Sequence, residues 1–236
     1  MALNDEIQFT WLGHGTWKVT SAAGKQILLD AWVMNNPSCP PHLKTVESLD
    51  LMLISHGHFD HIWDAVEICH DTHPRVVSIF EIGHWLELKG VAGAGELAMN
   101  QGGTQIVEGV RVTMVPAQHS CGITDGDQIV YGGSACGYVI EFENGFTIYF
   151  AGDTDVFGDM RLIGQLHRLD AAFLPIGGHF TMGPERAARA VELLGVKVVV
   201  PMHFGTFPAL SGTPGALAQL VGPTVQVLDL RPGDRI

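Results

Sequence analysis

Three histidines and a carboxylate fall within six residues at His56-Gly57-His58-Phe59-Asp60-His61, directly after the apolar run Leu51-Met52-Leu53-Ile54. Imidazole nitrogen and carboxylate oxygen together suit zinc, manganese, nickel or iron, whereas calcium takes oxygen alone. One histidine after a strand caps a loop more often than it binds anything, but four donors packed this closely point to a metal site. Three further strand-like runs end in the same way. The alternating run 110–118 delivers His119, the run 146–152 delivers Asp153, and the run 197–202 delivers His203.

Seven donors exceed what one tetrahedral ion takes and suit two divalent ions that share a bridging carboxylate. Such a centre lowers the pKa of a bridging water, so that hydroxide is available near neutral pH, and polarises the carbonyl or phosphoryl oxygen under attack. The reaction expected is metal-assisted hydrolysis, with Asp60 and Asp153 orienting the nucleophile as well as binding metal. Neither a nucleophile elbow nor a Cys–His pair at a recognisable spacing supports a covalent route.

The elements that must position these groups follow from hydrophobic periodicity. Residues 51–54 read as a strand covered on both faces, and Ser55 marks its exit from the core. His56 and His58, two apart in an extended segment, point the same way, while Asp60 and His61 lie where the helical pattern of 62–70 begins. Residues 7–12 and 16–20 alternate as strands around the break Gly13-His14-Gly15. The strand 26–30 ends in Asp30, which reads either as a strand-end cap or as a hydrogen-bond partner of a metal-binding histidine. A strand at 75–79 and a helix at 81–89 follow. The Pro-rich loop 35–44 is expected to rim the site. Residues 120–135, rich in Gly, Ser and Asp, read as a long loop without periodicity, placed at the site mouth or at a subunit contact. Pro184 opens a helix over 185–194, preceded by Gly177-Gly178-His179. His14 and His179, each in a glycine-rich turn, are candidates for substrate contact or proton transfer, and His179 is counted with Asp60 and Asp153 as catalytic. His70, His73 and His84 stand apart from every strand end and read as structural or exposed.

Length and composition bound the rest. The 236 residues suit one domain, 1–236, without a linker. Hydrophobic residues make up 46% and charged ones 16%, so the chain is not disordered, and no apolar run approaches the length of a membrane span. A net charge of −12, with 13 thinly spread Lys and Arg, argues against nucleic acid as partner and leaves a small-molecule substrate. The start Met1–Glu6 lacks the basic and apolar regions of a signal peptide, which predicts a cytoplasmic protein. Cys39, Cys69, Cys121 and Cys136 show no C-x-x-C spacing and read as buried thiols. High hydrophobicity with few charges predicts a homo-oligomer.

The H-x-H-x-D-H pattern behind an apolar strand resembles the metal-binding motif of the metallo-β-lactamase superfamily. Further segments carry the likeness: Trp11-Leu12-Gly13-His14, Ala117-Gln118-His119-Ser120, Gly152-Asp153-Thr154, Phe180-Thr181-Met182-Gly183-Pro184 and Met202-His203-Phe204-Gly205-Thr206. They are most similar to a branch of metal-dependent hydrolases related to L-ascorbate-6-phosphate lactonase. The resemblance implies an α/β fold, the four-layer αββα sandwich. It also implies a partition of the donors: His56, His58 and His119 to one ion, Asp60, His61 and His203 to the second, and Asp153 to both. It favours Asp30 as support for a metal-binding histidine. Two zinc or manganese ions, with nickel or iron as alternatives, would serve a small ester or lactone. The same centre could act on a small or lipid-like phosphodiester, and a metal- or ligand-binding protein without activity is the reading outside enzymes.

Overall fold

The structure, a computed structural model, describes residues 3–236; the Met1-Ala2 start of the segment read for a signal peptide lies outside them. Five strands form the first sheet in the order β1 (Gln8–Trp11), β2 (Trp17–Thr20), β3 (Gln26–Leu29), β4 (Leu51–Leu53) and β5 (Arg75–Val77). The first two pairings are antiparallel, and β3–β4 and β4–β5 are parallel. The second sheet runs β6 (Thr104–Val107), β7 (Val110–Pro116), β10 (Cys136–Glu141), β11 (Thr147–Phe150), β12 (Ala171–Pro175), β13 (Val198–Met202) and β14 (Gln226–Val227). Between β7 and β10 the chain makes a separate hairpin of β8 (Gly122–Asp125) and β9 (Gln128–Tyr131).

Strands β4, β11 and β12 are buried at every residue, as strands covered on both faces must be. The sheets meet through one continuous core. Phe173 of the second sheet packs edge-on against Trp17 at 4.9 Å and lies 5.3 Å from Phe9, both of the first. The buried Tyr138 hydroxyl donates across the interface to the carbonyl of Ile54 at 2.6 Å. Helices α1 (Phe59–Ile62), α2 (Ala65–Thr72) and α3 (Phe80–Leu88) follow strands of the first sheet. Helices α4 (Met160–Leu166), α5 (Pro184–Leu194) and α6 (Pro214–Val221) pack side by side, α5 against β12. The result is the αββα sandwich.

Strand direction explains where the donors gather. Because β10 runs antiparallel to both β7 and β11, those two point the same way, and β11, β12 and β13 are parallel. The C-terminal ends of β7, β11 and β13 therefore lie along one edge. The parallel pair β3–β4 brings Asp30 and Ser55 together at the facing edge of the other sheet. Backbone bonds tie the edges: Cys136 N–H donates to Ser55 O at 3.0 Å, and His203 N–H to His14 O at 3.0 Å.

Three expectations are corrected. Residues 120–135 are not an irregular loop, because Asp125-Gly126-Asp127-Gln128 closes a two-residue hairpin turn with Gly126 at φ +60°. That is the II′-type conformation, which demands glycine at its first central position. The loop 35–44 does not rim the site, since none of its residues lines the cavity over the metal donors. It braces the β1–β2 turn instead: the buried Asn36 amide donates to the carbonyls of Leu12 and Gly13. The predicted helix at 62–70 is in fact two segments, α1 beginning at Phe59 and α2 at Ala65. Trp63 and Asp64 lie between them, and the buried Asp64 carboxylate accepts from Val33 N–H at 2.6 Å and from the Asn35 amide.

Candidate metal centre

All seven predicted donors come together at the edge between the sheets. His56 Nε2 lies 3.0 Å from His58 Nδ1, which lies 3.2 Å from His119 Nε2. A tetrahedral ion with metal–nitrogen bonds of about 2.0–2.1 Å sets its ligand nitrogens about 3.3 Å apart, so this triangle has the dimensions of one face of such a site. Hydroxyls stand behind two of the rings. Ser55 Oγ contacts His56 Nδ1 at 2.9 Å, and Ser120 Oγ contacts His58 Nε2 at 3.1 Å.

The second group, Asp60, His61 and His203, is more deeply buried. His61 Nδ1 lies 2.7 Å from Asp30 Oδ2, and Asp30 also accepts from Ser55 N–H at 2.7 Å and Ser55 Oγ at 2.8 Å. Asp30 thus bonds His61 directly and reaches the first group only through Ser55, and its carboxylate acts as a hydrogen-bond partner rather than as a strand-end cap. With the His61 Nδ1 proton donated to Asp30, Nε2 presents a lone pair toward Asp153 Oδ1 at 3.4 Å. Both atoms are buried without a hydrogen-bond partner, as is His203 Nε2, 3.0 Å from Asp153 Oδ2. Two acceptors cannot face one another unpaired in the interior, so either a proton on the ring nitrogen or a metal cation in its place must lie between them. Asp153 is the hub, because its Oδ2 also lies 3.6 Å from His119 Nε2 and 3.8 Å from His56 Nε2. The donor chemistry and these partnerless atoms fit divalent metal.

Charge is distributed unevenly across the cluster. Burial and the neighbouring His61 lower the pKa of His56 well below the ordinary histidine value, and those of His58 and His119 are lowered mainly by burial. Burial opposes protonation of His203 too, but the Asp153 carboxylate raises it to about 9. His61 is likewise raised against burial, by Asp153 and Asp30. Desolvation would push both carboxylates up; instead the His203 and His61 charges hold Asp153 far below the ordinary range, and contacts with His14 and His203 do the same for Asp60.

His14 is buried and has both ring nitrogens engaged, Nε2 with Asp60 Oδ2 at 2.9 Å and Nδ1 with Thr206 Oγ1 at 2.9 Å. Burial and the His203 charge lower its pKa to about 4. A neutral ring here donates to Asp60 and accepts from Thr206, which leaves no nitrogen for a substrate. His179 is the one predicted catalytic residue that the structure does not bring to the cluster. It is exposed, does not line the cavity, and rests its ring 4.4 Å from that of Phe180. His14, Asp30, His179 and His203 all adopt positive φ, between +55° and +58°. Such backbone strain concentrates where surrounding structure imposes a geometry. Close packing adds a further constraint, since a Cβ on Gly15 would stand 2.7 Å from His61 Cε1.

Sequence reasoning missed Ser55, Ser120 and Thr206 as partners of the histidines. A lone hydroxyl carries no spacing signal. Over the cluster opens a cavity of about 470 Å³ lined by His58, Asp60, His119, Asp153, Ser120 and Thr124 with three phenylalanines, so the 120–135 segment does reach the site mouth. His84 and His73 are exposed, as is His70, and the four cysteines are free and buried. Among the described residues no helix is long and apolar enough to cross a membrane.

Comparison with known proteins agrees with this fold. The profile of the family described as the Beta-lactamase superfamily domain matches residues 25–204. A UPF0173 metal-dependent hydrolase of Koribacter versatilis is 55% identical over 228 residues, covering 97% of this chain and 97% of its own. Another, of Methanopyrus kandleri, is 44% identical over 231 residues, covering 97% and 98%. Among solved structures, Igni18, a metallo hydrolase from Ignicoccus hospitalis, superposes with a TM-score of 0.84 at 35% identity and covers 98% of this chain and 97% of that one. The chain belongs to the metallo-β-lactamase superfamily, within its UPF0173 group of metal-dependent hydrolases.

Proposed function

We propose that this protein hydrolyses a small ester or lactone with two divalent ions, zinc or manganese in first place and nickel or iron as alternatives. The observation that carries the reading is the position of Asp153, whose two oxygens face ring nitrogens of both histidine groups. His56, His58 and His119 would hold one ion, Asp60, His61 and His203 the other, and Asp153 both. Ions bound there supply a water of lowered pKa as nucleophile and a Lewis acid for the carbonyl oxygen.

The chain's own contribution is orientation. Asp60 keeps Oδ2 on His14, so its carboxylate plane is fixed, and Asp153 is pinned among four imidazoles. Both carboxylates stay ionised and can accept a proton contact from the attacking water. His14 serves as the positioning residue for Asp60. His179 is exposed and does not line the cavity, so no contact with the reacting atoms is assigned to it. The test is to load the full chain separately with zinc, manganese and nickel, count ions by elemental analysis, and assay esters, lactones and phosphodiesters. Two ions per chain and turnover of esters or lactones ahead of phosphodiesters are expected. Protein that holds metal yet is inert toward the whole panel, or active on phosphodiesters only, overturns the proposal.

A further inference from the structure

The cavity divides into a polar floor and an aromatic wall. Its floor is the donor cluster, and the wall is Phe59, Phe180 and Phe207 with Thr124 of the hairpin; among the described residues no Lys or Arg lines it. Two of the rings are held by neighbours, Phe59 5.8 Å and Phe207 6.1 Å from the ring of Trp32. Phe180 stands at the rim, 58% exposed. The cations on adjoining segments are engaged elsewhere: Lys89 bonds Asp125 of the hairpin at 2.6 Å, and Arg186 closes on Asp155 with Nε at 2.6 Å.

A substrate bound here places its reacting group on the floor and the rest of its body against carbon. A phosphate or second carboxylate on that body would be desolvated against the rings with no side-chain cation to balance it. An alkyl chain or ring would instead remove apolar surface from water on both partners.

We infer that the substrate is an uncharged ester or lactone bearing an apolar chain or ring of medium length, selected by Phe59, Phe180 and Phe207. The inference rests on the hydrolase reading above and narrows it, setting this site apart from lactonases that take a phosphorylated sugar acid. In the reaction, water oxygen bonds to the carbonyl carbon and the carbon–oxygen bond to the alcohol breaks. The leaving oxygen takes one proton of the water, and the acid formed releases the other.

The experiment uses metal-loaded full-length protein and two homologous series, p-nitrophenyl esters from acetyl to octanoyl and γ-lactones from butyrolactone upward. A lactone carrying a phosphate monoester is the charged comparison. Burial of each added methylene should raise kcat/KM about fourfold until the cavity is full. The phosphorylated lactone should be turned over at least about 100-fold more slowly than an alkyl lactone of similar size, the order of effect expected for one uncompensated charge. Phe180→Ala and Phe207→Ala should flatten the series below about twofold per methylene with two ions still bound. Turnover of the acetyl ester with a flat or falling series, or preference for the phosphorylated lactone, overturns this inference and leaves the hydrolase reading intact. No turnover of any ester or lactone by protein holding its ions overturns both.

Discussion

The two halves of the donor cluster follow opposite electrostatic plans. The His56–His58–His119 triangle is made of imidazoles that burial keeps neutral, steadied from behind by the uncharged hydroxyls of Ser55 and Ser120. The Asp60–His61–His203 group is charged throughout, its histidines raised by Asp153 and Asp30 and its carboxylates depressed in return. His58 and His119 line the cavity, while His61 and His203 are buried behind it. A neutral ligand set is ready for metal with no proton to lose. A charged one holds its geometry through ion pairs that metal must replace.

The largest effect should come from the residue common to both halves. Asp153→Ala removes the carboxylate that faces both groups, and metal content is expected to fall from two ions toward none, with kcat/KM down at least about 1,000-fold. His203→Ala should lose only the second ion. Elemental analysis of the two variants separates them, and His203→Ala losing both ions while Asp153→Ala keeps both would reverse the assignment.

Next in size is a difference in pH response. Folded-state pKa values for His61 and His203 lie above the ordinary 6.5, that of His203 at about 9. The stabilisation from the His203 charge is therefore complete below about 6.5 and lost as pH rises through about 9. Metal entering this half displaces that proton, so affinity for the second ion should rise at least about tenfold per pH unit across that window. Histidines of the triangle are lowered below 6.5, and affinity for the first ion should be level over the same range. Competition titrations with a chelator of known pH dependence read both slopes; equal slopes would mean that the halves do not differ in protonation.

That the seven candidate donors gather in one place was legible because an apolar strand gains nothing in packing by ending abruptly in His or Asp, and parallel strands bring such ends to one edge. Asp30 was half legible, since a strand-end carboxylate serves a cap equally well until His61 is seen at 2.7 Å. The β8–β9 hairpin could have been read: Gly126-Asp127 stands between Ile123-Thr124 and Ile129-Val130, a two-residue turn signal obscured by the glycines that flank both strands. What the loop 35–44 braces could not be read, because Asn36 reaches Leu12 and Gly13 across more than 20 residues of chain through a single amide. The position of His179 was misleading for a related reason. Glycine-rich turns near a ligand strand permit close approach without requiring it, and here the turn carries Phe180 to the cavity and His179 to solvent.

The remaining predictions weigh the supports against one another. Asp30→Asn keeps the shape but removes the charge behind His61, and loss of such a partner costs about 10–100-fold in metal affinity. The second ion should bear that loss. The first should be nearly unaffected, because the Ser55 amide can still donate to the Asn oxygen. Metal titration monitored ion by ion is the measurement, and an equal loss at both sites would mean that Asp30 supports the cluster as a whole.

Ser120→Ala is expected to have the smallest effect. Its hydroxyl meets His58 Nε2 at 3.1 Å in an exposed position, where a net hydrogen bond contributes about 0.5–1.5 kcal/mol and water can take its place. Affinity for the first ion should fall about two- to tenfold, with the second unchanged. The same serine also lines the cavity, so its loss widens the floor beside His58. KM for a short ester should then shift more than kcat, because the ring keeps its neighbours His56 and His119 at 3.0 and 3.2 Å after the hydroxyl is gone. A loss of metal affinity as large as that expected for Asp30→Asn would show that the hydroxyl matters as much as the carboxylate, and the distinction between a hydroxyl-steadied half and an ion-paired half would fail.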